Sequence, residues 1–124
     1  MSDFKFLKHY RLSKKKDISN VFENGISVSD GKFVVYALRN NLDFSRVCIV
    51  TSKKSNSIAV KRNKIRRLAR EFFRLNRSTF TLIADYVIIA RKNAYYCNYA
   101  DTEKSLKKLF FSKGLLKNDK KNAG

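Results

Sequence analysis

Residues 57–76 read SIAVKRNKIRRLAREFFRLN, a stretch without Gly or Pro in which apolar residues recur at 58, 59, 65, 68, 69, 72 and 75. This is the 3.6-residue period of an amphipathic helix, kept for roughly five turns, and it predicts the longest helix of the chain over 58–75. At about 100° per residue, Arg62, Asn63, Arg66, Arg67, Arg70 and Arg74 fall within an arc of about 140°. Ile65, Leu68, Ala69, Phe72 and Leu75 occupy a separate arc. Ten Lys/Arg and a single acid, Glu71, lie between Ser52 and Arg77. A face of one sign repels itself, so a polyanionic partner explains it better than solvation does. Five of the arc's residues are arginines, whose planar forks engage two phosphate oxygens at once. Such contacts position a phosphate backbone without reading bases, which favours structured RNA over a DNA operator.

The flanking segments supply the rest of the fold. Before the helix, Ile18, Val21 and Phe22 at i, i+3, i+4 predict a short helix over 14–24, with Ser13 available as N-cap. Gly25 follows as a helix stop. ISVS, KFVVYAL and RVCIVTS, separated by turn-rich residues such as NNLD, predict two or three antiparallel strands within 26–52. After the long helix, YVIIA at 86–90 predicts a buried strand. Leu106, Leu109 and Phe110 predict a last helix over about 101–112, stopped at Gly114, with KGLLKNDKKNAG as a frayed basic tail. The order αβββαβα describes a single-domain α+β chain, with a core over about 11–112 and helices against one sheet.

Composition bounds the function. The chain has 124 residues, 28 Lys+Arg against 10 Asp+Glu, and a net charge of +18, with 44% hydrophobic residues. One basic domain with a real core is expected, and a two-domain enzyme is excluded by length. The longest apolar run, 33–38, is far short of a bilayer span. The N-terminal MSDFKFLKHYRLSKKK lacks an apolar stretch, so a cytoplasmic protein with no membrane partner is expected. Cys48 and Cys97 are expected to be free thiols, since the chain has one histidine, His9, and no zinc-ligand spacing. His9 lies in a charged stretch, and of the scattered acids only Asp101 and Glu103 are close together. Neither a nucleophilic triad nor a carboxylate cluster for phosphodiester cleavage is present, so no catalytic residue is expected.

Three blocks keep their order along the chain: SKK at 52–54, SIAVKRNKIRRLAREFFRLN at 57–76 and DYVIIARK at 85–92. Together with Arg11-Leu12, VFENG at 21–25 and FVVYAL at 33–38, they resemble the bacterial ribonuclease P protein family over about 11–112. That pattern has a strand ending in SKK, a Gly-Asn-Ala-Val turn, an Arg-Asn-Arg helix start and a later Asp-hydrophobic-Val-Ile-Ala-Arg strand. Here Ser57-Ile58 replaces Gly-Asn, one residue is added after SKK, Lys64 stands at the third position of Arg-Asn-Arg, and Ile18 stands where an aromatic is common.

The resemblance implies an α/β sandwich with a left-handed βαβ crossover, shared with a ribosomal-protein domain (S5 domain 2-like). It implies the protein subunit of an endoribonuclease that removes the 5′ leader of precursor tRNA, with the chemistry and the Mg2+ held by a catalytic RNA bound 1:1 and no protein partner required. It assigns Lys53, Lys54, Arg62, Asn63, Lys64, Arg66, Arg67 and Arg70 to the RNA subunit. Phe22 and Tyr36 are assigned to a leader cleft, with Ile18, Phe33 and Val35 as neighbours, and Lys14, Lys15 and Lys16 to leader phosphates. Strand alternation puts Phe33 and Tyr36 on opposite faces, which favours Tyr36 in the cleft and Phe33 in the core. A ribosomal or other structured-RNA binder without a catalytic role is the main alternative, and a DNA-binding protein is a third.

Overall fold

The β-branched and aromatic segments assemble, in a computed structural model that describes residues 10–51 and 59–116, into one four-stranded sheet with helices on both faces. The elements are α1 (Lys15–Asn24), β1 (Ile26–Ser29), β2 (Phe33–Arg39), β3 (Arg46–Thr51), α2 (Ala59–Asn76), β4 (Ala84–Ala90) and α3 (Tyr99–Ser112), with 3-10 turns at Arg77–Thr79 and Lys92–Tyr96. This is the expected αβββαβα order. The strands lie β1-β2-β4-β3, antiparallel except for β3 beside β4. A parallel pair needs a crossover, and α2 supplies it.

Period-2 alternation divides the sheet into two chemically different faces. Phe33, Val35 and Ala37 of β2, with Tyr86 and Ile88 of β4, point to α2 and α3 and are buried among Ile65, Ala69, Phe72, Phe73, Leu106, Leu109 and Phe110. Phe72, Phe80, Phe110 and Tyr86 form a ring cluster with centroids 5.1–5.4 Å apart. Tyr86 is fully buried and its hydroxyl donates to the Leu82 carbonyl at 2.7 Å, so no polar atom is stranded there. The other face, with Tyr36, Leu38, Val87, Ile89, Cys48 and Val50, packs against Leu12, Ile18 and Val21 and is only partly covered by α1.

The structure moves several boundaries. Ser13 does not cap α1: the N-cap is Lys14 and has no side-chain cap hydrogen bond. The buried Leu12 donates its N–H to the Val47 carbonyl at 2.9 Å, which ties the chain to β3 just before the helix begins. β4 starts two residues earlier than expected because Ala84 and Asp85 pair with Arg39 and Leu38 of β2. α3 starts at Tyr99, since Asn98 and Asp101 form a reciprocal capping box. The C-terminal stretch is not frayed where it is described. Gly114, at φ 68°, turns the chain back, Leu115 and Leu116 are buried, and the Thr81 N–H donates to the Leu115 carbonyl at 2.9 Å.

Gly25 does stop α1, but with φ −85° it does so through space rather than through a left-handed turn. A Cβ there would lie 2.6 Å from the Val21 carbonyl oxygen and 2.7 Å from that of Ala37. Gly25→Ala should therefore push α1 off β2 and cost about 1–3 kcal/mol. A urea midpoint equal to that of the parent would show that this approach is not tight.

Candidate nucleic-acid interface

α2 turns its apolar arc into the core and leaves its basic arc outside. Asn63, Lys64 and Arg67 are exposed, and Arg62, Arg66 and Arg70 are half-buried, Arg66 and Arg70 on the flank that faces β3. Arg66 is held there by two hydrogen bonds, donating to the Thr51 hydroxyl at 2.8 Å and to the Asn63 side-chain oxygen at 3.4 Å. Burial lowers the pKa of Arg70, and repulsion from Arg11 and Arg66 lowers it further. Arg74, on the same arc by periodicity, is instead paired with Glu71, its Nε lying 3.1 Å from Oε1. Lys53 and Lys54 lie outside the described residues.

Arg11 is a member that spacing does not reveal. A bridge between Arg11 and Val47 lays the N-terminal segment along β3 and brings Arg11 beside Arg70, 59 positions on in the sequence. A pocket of about 220 Å³ opens at this junction, lined by Arg11, Ile18, Cys48 and Arg70 among others. It joins the guanidinium face of α2 to the second face of the sheet.

That second face carries the expected cleft residues. Phe22, 41% exposed on α1, meets the half-buried Tyr36 edge to face at 4.8 Å between centroids. Ile18 packs on the same face, whereas Phe33 and Val35 are buried on the opposite one and are excluded from any cleft. Lys14, Lys15 and Lys16 are exposed at the start of α1. Cations at a helix N-terminus oppose the helix dipole, a cost that a bound anion would offset.

The sheet face beneath α1 is braced by a buried ion pair. Asp85, 7% exposed, accepts from Arg46 at 2.8 and 2.7 Å and from the Asn40 side-chain amide at 2.9 Å. That hydrogen bonding raises the pKa of Arg46, whose guanidinium also lies 3.7 Å from Asp17 of α1. Cys48 and Cys97 are free, and burial raises the pKa of both thiols. Among the described residues no three His, Cys, Asp or Glu side chains stand close enough to hold a metal ion. No helix among them is long and apolar enough to cross a membrane.

The family model for ribonuclease P matches residues 6–113. The chain belongs to the ribonuclease P protein family. Ribonuclease P protein components of Halalkalibacterium halodurans and Syntrophus aciditrophicus are 40% and 38% identical to it, each over 80% of this chain and over 83% and 82% of their own lengths. Among solved structures, the ribonuclease P protein of Staphylococcus aureus superposes with a TM-score of 0.78 at 34% identity, covering 87% of this chain and 98% of that one. That of Thermotoga maritima gives 0.70 at 32%, covering 80% and 93%. The match over residues 6–113 takes in both the α2 face and the sheet face.

Proposed function

We propose that this chain is the protein subunit of ribonuclease P and works in the cytoplasm, one copy to each catalytic RNA, with no second protein required. The observation that carries this reading is the contiguity of two surfaces: the guanidinium face of α2 and the sheet face bearing Phe22 and Tyr36, joined by the pocket between Arg11 and Arg70. The first suits the folded phosphate backbone of the catalytic RNA, through Arg62, Asn63, Lys64, Arg66, Arg67 and Arg70, with Lys53 and Lys54 preceding α2. The second suits the single-stranded 5′ leader of precursor tRNA. Bases would rest against Phe22, Tyr36 and Ile18, and phosphates against Lys14 and Lys15.

In this reading the protein holds RNA and substrate in register and performs no bond chemistry. We place the Mg2+ mainly on the catalytic RNA and the substrate, not on a protein site. When bound there, it supplies the endonucleolytic chemistry. The chain's own residues neutralise phosphates and hold the leader, which lowers the Mg2+ needed for the RNA to fold and engage its substrate.

The test is cleavage of a precursor tRNA at low Mg2+ by the protein alone, by a bacterial ribonuclease P RNA alone, and by the two combined. Cleavage only by the combination is expected. Cleavage by the protein alone would reveal a missed active site, and absence of stimulation would leave a structured-RNA binder without a catalytic role. Within the holoenzyme, Tyr36→Ala should weaken precursor tRNA binding by about tenfold while leaving mature tRNA binding unchanged. An equal loss on both substrates would assign Tyr36 to the core.

A further inference from the structure

Beside the first turn of α2, the fold leaves an aromatic ring mostly in solvent. The 3-10 turn Lys92–Tyr96 is anchored by the buried Ala94 and Tyr95, and by buried Cys97 just after it, while Tyr96 is 68% exposed. Lys61 of α2 sets its ammonium 4.2 Å from the Tyr96 ring centroid. Neighbouring Val60 is 81% exposed. The buried residues on either side of Tyr96 fix where the ring stands, with the Lys61 ammonium against it and most of its surface open to a ligand.

The surroundings select the class of ligand. Lys61 immediately precedes Arg62, the first arginine of the basic arc, and the exposed Arg91 and Lys92 lie at the start of the turn that carries Tyr96. A flat π face beside an ammonium, on a turn that opens with exposed Arg91 and Lys92, matches an unpaired nucleobase with its flanking phosphates: the base stacks on the ring and a phosphate meets Lys61. A protein partner would require a larger apolar patch with fewer like charges.

We infer that Tyr96 is a stacking platform for an unpaired base of the ribonuclease P RNA, with Lys61 steadying the ring and meeting the adjacent phosphate. This rests on the reading of α2 as the face that binds that RNA. RNA draped over the first turns of α2 would then contact the protein at Arg66 and Arg70 and also at Tyr96.

The chain contains no tryptophan, so Tyr96→Trp introduces a sole indole at the proposed contact. Adding a bacterial ribonuclease P RNA transcript should quench its emission, with affinity within about twofold of the parent, since stacking tolerates any aromatic ring. Tyr96→Ala should lose about tenfold in affinity for the same transcript. Its thermal unfolding should be unchanged, because the ring lies mostly in solvent. Absence of quenching, or full affinity in Tyr96→Ala, while an Arg66→Ala, Arg67→Ala double variant still loses binding, would overturn the platform and leave the α2 reading standing. Full affinity in that double variant would overturn the α2 reading itself. Quenching by precursor tRNA but not by the catalytic RNA would put Tyr96 on the substrate and overturn the inference as stated.

Discussion

Replacing Arg66 and Arg67 together with Ala should weaken binding to the ribonuclease P RNA by about a hundredfold, at about 1.5 kcal/mol for each lost charged hydrogen bond. The slope of log affinity against log salt should become shallower by about 2, since two phosphate contacts no longer release counterions. Stability should change little, for reasons that differ between the two positions. Arg67 is exposed on the outer face of α2, where substitutions are usually worth within about 0.5 kcal/mol. Arg66 donates to Thr51 at 2.8 Å, and losing that bond costs about 1 kcal/mol. Removing one of the cations that repel Arg70 works in the opposite direction. Filter binding across a salt series, beside thermal unfolding followed by circular dichroism, separates the two effects. Parent-like affinity with a lowered melting temperature would make these arginines structural.

Asp85→Ala should cost about 3 kcal/mol of stability, which corresponds to a fall in melting temperature on the order of 10 °C for a domain of this size. The carboxylate has both oxygens bonded by Arg46 and also accepts from Asn40. Removing it leaves a partly buried guanidinium and a side-chain amide without their partner, and an unpaired buried charge is far costlier than an absent pair. Arg46 also lies near Asp17, so the same change should loosen α1 from the sheet and with it the cleft at Phe22 and Tyr36. Asp85→Asn, which keeps an acceptor for Asn40, should fall between the two. A loss below 1 kcal/mol by urea denaturation would mean that Arg46 finds solvent or Asp17 as a sufficient partner.

The long helix was legible because its signal is local. An 18-residue element without Gly or Pro carries both its apolar period and its charge segregation within itself, and the structure keeps both. The split of β2 was legible for the same reason: a strict period of 2 decides that Phe33 and Tyr36 part company, and the packing of Phe33 in the core shows which way. Capping was less so. Ser13 has the right chemistry for an N-cap, yet the bond from Leu12 to Val47 holds the chain extended one residue too long for it to serve. The tail read as frayed because its lysines dominate the composition, while Leu115 and Leu116 find a groove beside Phe80 and Thr81 that exists only once the fold has formed.

By itself, the sequence determined the order of the elements and the two-faced character of α2, which depend on residues close together in the chain, and the family, which depends on motifs kept in order along it. Tertiary structure alone decided that Arg11 joins Arg70, that Asp85 holds Arg46 beneath α1, and that Tyr96 stands exposed beside Lys61. The physical reason is common to most of them. A side chain's period along a helix or strand is set by backbone geometry, but its partner is set by strand register and helix packing, and a separation such as the 39 residues between Arg46 and Asp85 carries no spacing that could announce it.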